Sequence, residues 1–233
     1  MVLYLIRHGQ SWSNALENRL RDRVAEPPLT EVGQMQAERV ADYVNQIADK
    51  ADGEAGGPGH GITRLYCSAM LRTLQTTAPI ARAVNLVPRV WLDVHEAGGV
   101  WLDEGDGRGP VGHPGLRRSE IEAQFPDFIL PENINEEGWW GPLKETRDET
   151  MDRAQRVAKA IGEQFFGTEE RVAIVSHGGF ISGLIHAFLQ EGGLEGVYFS
   201  NHNTAINRLD FIDGLLGVCY LNRVDHLPPE LVT

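Results

Sequence analysis

Apolar and polar positions along the chain alternate between a period of two and a period near 3.6. Val2–Ile6 is a short β-branched and aromatic run, and it predicts the first strand. From Thr30 to about Ala48, Val32, Met35, Val40, Tyr43, Val44 and Ile47 recur near a helical period, so this stretch predicts an amphipathic helix. Arg64–Ser68 predicts a second strand. Ala69 to about Ala83 predicts a helix in which Pro79 marks a bend or an early end. Val87–Val94 is a candidate third strand. Thr146-Arg147-Asp148-Glu149 has the spacing of a capping box, and the helix it opens carries Met151, Ala154, Val157, Ile161 and Phe165 on one face. Arg171–Ser176 is almost wholly apolar, as a strand buried on both faces must be, and Phe180–Gln190 follows as a helix. Thr204–Phe211 and Leu215–Leu221 read as strands joined at Asp213-Gly214, a hairpin signal. Two stretches have no period. Residues 49–61 are Gly-rich and polar and predict a surface loop. Glu96–Arg118 is rich in Gly, Asp and Pro, and its length suggests a lid or insertion. Strands alternating with helices around one all-apolar strand predict a three-layer α/β fold.

Composition narrows the class. At 233 residues the chain suits one domain with an elaboration. With 42% hydrophobic and 23% charged residues, global disorder is excluded. Lys and Arg number 21 against 33 Asp and Glu, a net charge of −12, which argues against nucleic-acid and membrane partners. An anionic small molecule remains compatible, because a local cationic pocket can dominate inside a cleft. No apolar run approaches a membrane span. The first residues have neither a basic n-region nor a small-residue cleavage site, so no signal peptide is expected. Cys67 and Cys219 are too few for a disulfide framework or a Cys-rich zinc site. They read as reduced thiols in strands of a cytoplasmic protein.

The candidate chemistry lies at strand ends. Val2–Ile6 runs into Arg7-His8-Gly9, and Arg171–Ser176 runs into His177-Gly178-Gly179. Arg64–Cys67 leads to Ser68 and a helix bearing Arg72. Ligands of open α/β sheets sit beyond the carboxyl ends of the strands, so two His and two Arg converge. Two guanidiniums suit a phosphate or a carboxylate, whose oxygens match the planar fork. Two imidazoles among them make sense if one is a neutral nucleophile and the other donates to anionic oxygen. The helix start at Gly178 adds backbone N–H groups.

Four blocks carry a resemblance: Leu5–Asn14 (LIRHGQSWSN), Pro28–Ala37 (PLTEVGQMQA), Cys67–Thr76 (CSAMLRTLQT) and Val175–Gly179 (VSHGG). In this order they resemble the histidine phosphatase superfamily, which includes the cofactor-dependent phosphoglycerate mutases. The resemblance implies a phosphoglycerate mutase-like α/β/α sandwich with a mostly parallel central sheet. It implies one domain over residues 1–233 with a cap insertion at about 96–142. It implies that His8 takes the phosphoryl group as a phosphohistidine. Arg7, Arg72 and His177 would grip the equatorial oxygens, assisted by the Asn14 side chain and the Gly178 backbone. The acid that protonates the leaving alkoxide is implied shortly after the third strand. Glu96 fits, ahead of Asp93, Asp103 and Glu104. No metal and no cofactor is implied for hydrolysis.

The branch of the family is read from departures. The mutases' Phe-x-Gly-Trp-x-Asp block is replaced here by Leu16–Asp22, and Gly179 stands where mutases usually have a polar residue. Arg117-Arg118 is similar to a substrate-holding Arg pair of mutases, but its context differs and a helix-start charge cluster is the plainer reading. These points favour a phosphatase acting on a small phosphomonoester. A mutase, with 2,3-bisphosphoglycerate as cofactor, is the alternative. A non-catalytic phospho-ligand or protein-binding module ranks last, because Arg7, His8, Arg72 and His177 are all intact. His113 and His202 stay open between a pocket and a structural role. Trp139-Trp140 is expected to pack the insertion onto the core. Oligomeric state is open, a homodimer included.

Overall fold

The structure is a computed structural model and describes residues 1–16, 23–49, 61–103, 107, 109–141, 143–189 and 196–233. In chain order its elements are β1 (Val2–Arg7), a one-turn α1 (Trp12–Ala15), α2 (Glu31–Asp49), β2 (Arg64–Cys67), α3 (Leu71–Val84), β3 (Arg89–Val90), β4 (Trp101–Leu102), β5 (Val111–Gly112), α4 (Arg118–Gln124), α5 (Arg147–Phe165), β6 (Arg171–Ser176), α6 (Gly178–Leu189), β7 (Ile206–Ile212) and β8 (Leu215–Arg223). Six strands form one sheet in the order β3-β2-β6-β1-β7-β8. β3, β2, β6 and β1 are mutually parallel, and β7 and β8 continue the sheet antiparallel.

Alternation along the two central strands builds the three layers. Successive side chains of a strand point to opposite faces. Val2, Tyr4 and Ile6 of β1, with Ala173 and Val175 of β6, join Val40, Val44, Leu74 and Ile80 from α2 and α3 in one buried cluster. Leu3 and Leu5, with Val172 and Ile174, join Val157, Ile161, Phe180 and Ile181 from α5 and α6 in the other. Both faces of β1 and β6 are therefore covered, which is why neither strand shows a polar alternation in sequence. The mostly parallel α/β/α sandwich is as the sequence led one to expect.

Several boundaries differ from the sequence reading. The third strand is only Arg89–Val90. From Leu92 to Val94 the chain turns into a 3-10 helix, closed by His95 N donating to Leu92 O. The reason is tertiary, since Arg153 of α5 draws the carbonyls of Asp93 and His95 to itself. On α2 the buried stripe runs through Ala37, Val40, Ala41 and Val44, whereas Met35 is exposed. α6 begins at Gly178 rather than Phe180, because Ile181 N already bonds to His177 O. Residues 50–60, most of the expected Gly-rich loop, lie outside the described residues. Within residues 96–142 the chain divides its contacts: Ile121 and Ile134 belong to the α2/α3-side core cluster, while residues 96–103 lie toward the candidate site.

The first two sequence blocks are folded onto each other. Thr30 N donates to Gln10 O at 2.9 Å, and Gln10 N donates to Gln36 Oε1 at 2.7 Å. Gly33 lies so close that a Cβ there would stand 2.0 Å from Gln10 O, so only glycine fits. The Pro28–Ala37 block thus acts as a backbone splint for the strand end that carries His8.

Candidate active site

Strand register places the two histidines. β1 and β6 pair with Arg7 opposite Ser176, so His8 and His177 leave the sheet side by side. Their ring centroids are 5.1 Å apart at an interplanar angle of 61°. β2 pairs with β6 with Cys67 opposite Val175. The chain then passes Ser68 and enters α3, whose second residue is Arg72.

His8 is held in one tautomer. Its Nδ1 lies 2.6 Å from Gly9 O, and a carbonyl can only accept, so Nδ1 carries the proton. Nε2 is left as an acceptor and receives Arg72 Nε–H at 3.2 Å. Burial, with the charges of Arg72 and Arg7 behind it, holds the His8 pKa well below the ordinary histidine value. His177, fully buried, is pushed the same way by burial and by Arg72. Both rings are therefore neutral at physiological pH. Asn203 Nδ2 donates to His8 O at 2.9 Å and Thr76 Oγ1 accepts from Gly9 N at 3.0 Å, which fixes the backbone around the nucleophile candidate.

The open face of this constellation is a cleft of about 200 Å³, lined by Arg7, His8, Asn14, Arg72 and Glu96, together with Trp101 and Asp103. Arg7 Nη1 donates to Asn201 O at 2.6 Å. Its Nε, and both ring nitrogens of His177, are buried without a protein hydrogen-bond partner among the described residues. Asn14 Oδ1 accepts from Ser11 N and Ser11 Oγ at 3.0 and 2.9 Å, which orients its amide. Glu96 Oε1 accepts from Ala97 N at 2.8 Å and from Phe180 N at 3.0 Å. A Cβ at Gly179 would lie 2.7 Å from that oxygen, so the glycine that departs from the mutase pattern makes room for Glu96. His177 and Gly178 are not on the cleft wall. Gly178 packs beside Arg7, where a Cβ would sit 3.4 Å from Nε.

The family model of the histidine phosphatase superfamily (branch 1) matches residues 3–223. The chain belongs to that superfamily. Among solved structures, a mycobacterial glucosyl-3-phosphoglycerate phosphatase in complex with VO3 is 20% identical with a TM-score of 0.62, covering 96% of this chain and 99% of that one. A mutant phosphoserine phosphatase from Entamoeba histolytica in complex with phosphoserine is 18% identical with a TM-score of 0.61, covering 97% and 99%. At such identities these likenesses speak for the shared superfamily fold. A curated relative, the PE-PGRS family protein PE_PGRS11 of Mycobacterium tuberculosis (strain ATCC 25618 / H37Rv), is 35% identical over 96 residues, 41% of this chain. The match spans only 14% of that protein's length.

Other sequence candidates lie elsewhere. Arg118 is committed to the carbonyls of Ile134 and Pro131 and to Glu122, Arg117 precedes the first turn of α4, and neither lines the cleft. His202 is exposed, with Nδ1 3.3 Å from Thr233 O. His113 is partly buried and donates its backbone N–H to Val100 O, away from the cleft wall. Trp139 packs against the core and Trp140 meets the His95 ring edge-on at 4.6 Å. Of the rival carboxylates, Asp103 shares the cleft and Asp93 does not, while Glu104 and residues 17–22, which bear on the missing mutase block, lie outside the described residues. Among the described residues no group of three or more His, Cys, Asp or Glu is placed to hold a metal ion, and no helix is long and apolar enough to cross a membrane.

The sequence reading missed Glu26. Its Oε2 accepts from Leu71 N at 3.0 Å, its Oε1 is buried without a partner among the described residues, and Arg72 is a neighbouring charge. Burial pushes its pKa up to about 7, against the opposing pull of Arg72. Only its place just ahead of the Pro28–Ala37 block could have pointed to it. The sign of its linkage follows. An unfolded Glu loses its proton near pH 4.5 and the folded one near 7, so the stability tied to the bound proton is complete below about 4.5 and is lost as pH rises to about 7. Glu26→Gln removes this loss. Urea midpoints measured from pH 4 to 8 should therefore shift in favour of the variant between those limits and run parallel above them. Curves parallel throughout would show that Glu26 titrates normally.

Proposed function

We propose that this protein is a phosphomonoester hydrolase that works through a phosphohistidine on His8. The observation that carries the reading is a neutral imidazole, proton fixed on Nδ1, with its Nε2 lone pair beside Arg72 in a cleft shared by Arg7, Asn14 and Glu96. His8 Nε2 attacks phosphorus in line with the ester oxygen, and the P–O bond to the alcohol breaks. Arg7 and Arg72, with Asn14, meet the charge on the equatorial oxygens, and His177 and the Gly178 backbone back them from directly behind His8 and Arg7. Glu96, held at Oε1 by two backbone amides, protonates the departing alkoxide through its other oxygen. It then takes a proton from the water that attacks the phosphohistidine. His8 leaves as the neutral imidazole, and phosphate departs.

A depressed His8 pKa keeps this nucleophile unprotonated into mildly acid solution, which supports the assignment. No metal enters the proposed cycle and no cofactor is required. The ligand is a small phosphomonoester or inorganic phosphate, with no nucleic acid or membrane partner. Free Cys67 and Cys219 suit a reducing, cytoplasmic setting.

The test is phosphate release with and without chelator from an aryl phosphate, 3-phosphoglycerate, sugar phosphates, phosphoserine and a phosphopeptide, with samples quenched in alkaline detergent and probed for base-stable, acid-labile phosphate on His8. Chelator-resistant release with a phosphohistidine is the expected result. Interconversion of 2- and 3-phosphoglycerate much faster than phosphate release would move the protein to the mutase reading. Phosphate binding without any phosphoenzyme would leave a binding module.

A further inference from the structure

Glu96 is the one proposed catalytic group that stands on neither a strand end nor a helix. It lies between the 3-10 turn Leu92–Val94 and two glycines at positive φ, Gly98 at 91° and Gly99 at 74°. Such a segment does not hold a carboxylate in place by itself. Beneath it runs a buried ion pair that the proposed chemistry does not use. Arg153 of α5 is 2% exposed. Its Nε donates to Glu145 Oε1 at 2.8 Å and its Nη2 to Glu145 Oε2 at 2.6 Å. Its Nη1 donates to Asp93 O at 2.7 Å and to His95 O at 3.0 Å, and Nη2 also reaches Glu96 O at 3.4 Å. A guanidinium has five N–H donors, and all five are spent here, three of them on the backbone that leads into Glu96.

Glu145 completes the grip from the other flank. Its Oε2 accepts from Gly98 N at 3.3 Å, and its own N–H donates to Gly98 O at 3.1 Å. Thr150 Oγ1 donates to the same carboxylate oxygen at 2.8 Å. Arg153 also lies under the ring of Phe180, 4.3 Å from its centroid, and Phe180 N is one of the two donors that hold Glu96 Oε1. The pair therefore touches the backbone on both sides of Glu96 and the residue that anchors its carboxylate. Buried ion pairs are often no more stabilising than apolar residues of the same volume, so stability alone is a weak reason for this one.

We propose that the Arg153–Glu145 pair is the positioning device for the proton donor Glu96, an inference that rests on the reading of Glu96 given above. It acts through Glu96 and touches no substrate. Displacing a catalytic group by about 1 Å can cost on the order of 100-fold in rate.

The experiment compares kcat/KM for p-nitrophenyl phosphate and glycerol 2-phosphate in the wild type, Arg153→Lys, Glu145→Gln, Glu96→Gln and the double variant Glu96→Gln/Arg153→Lys. kcat/KM reports the steps up to phosphoryl transfer to His8. Nitrophenolate departs with little proton assistance, whereas an alkoxide needs it. The expected result for Arg153→Lys and Glu145→Gln is a loss of roughly 10- to 100-fold with glycerol 2-phosphate and under about 3-fold with the aryl ester. The double variant should be no worse than Glu96→Gln alone, because the carboxyl that the pair positions is already gone. Equal losses on both esters, in variants with wild-type circular dichroism, would reduce the pair to a structural role and overturn the proposal while leaving Glu96 as the acid. If Glu96→Gln itself shows no leaving-group dependence, the reading of Glu96 and the proposal fall together. Glu145→Gln keeps its size and one acceptor, so it carries the test if Arg153→Lys does not fold.

Discussion

His8→Ala is expected to lower phosphate release by roughly 10⁴-fold or more, because the proposed two-step route then has no covalent nucleophile. The fold should survive. The strand that ends at His8 is held by backbone bonds to β6 and β7, by Asn203 on the His8 carbonyl and by the Gly33 splint, none of which uses the imidazole. The lost ring leaves Arg72 Nε buried without its acceptor, at a stability cost of about 1–3 kcal/mol. The check is kcat/KM on an aryl phosphate beside a urea melt and acid-labile phosphate incorporation. A folded variant that keeps a hundredth of wild-type activity would show that another group, or water, attacks the phosphorus.

Arg72→Met should separate activity from stability. Arg72 is 9% exposed, donates to His8 Nε2, and has its Nη2 3.1 Å from the sulfur of Met70. Of the two carboxyls that act on it, Glu26 and Glu96, the stronger influence, Glu26, is itself pushed up to about 7, so near neutral pH the cation is only partly neutralised by its neighbours. Taking a cation away from a transferring phosphoryl group is expected to lower kcat/KM by roughly 10³-fold, about 4 kcal/mol of barrier. The same change removes an under-compensated buried charge and supplies a side chain of similar length, so the urea midpoint should equal or exceed that of the wild type. Losing more than about 2 kcal/mol of stability would mean that Arg72 holds the fold together, contrary to this expectation. Glu26 should also keep its proton to higher pH in this variant, since Arg72 is the charge that now opposes its burial.

Much of the site was legible because it sits where local patterns are strong. Arg7-His8 and Ser176-His177 follow strands whose unbroken apolar character forces them into the sheet centre, and parallel pairing then brings their ends together. Arg72 was legible from the strand-turn-helix pattern around Ser68. Glu96 was less so, because nothing in a Gly- and Asp-rich run distinguishes one carboxylate from the next. What singles it out is the pair of amides from Ala97 and Phe180, 84 residues apart in the case of Phe180. The third strand reads too long in the sequence for the same reason, since the side chain that bends it, Arg153, lies on a different element.

The sequence by itself determined the alternation of elements, the family, the strand ends that carry Arg7, His8 and His177, and the capped start of α5, where Thr146 and Glu149 satisfy each other's amides. These rest on short-range periodicity, caps and contiguous motifs, which neighbouring residues specify. Only the tertiary structure decided that the buried rings of His8 and His177 are held neutral, which carboxylate in the cleft is held by backbone amides, and that Glu26 lies beside Arg72 and the Arg153–Glu145 pair beside the backbone of Glu96. Those properties depend on burial and on partners dozens of residues away, and a side chain's charge is set by the surroundings the fold builds for it.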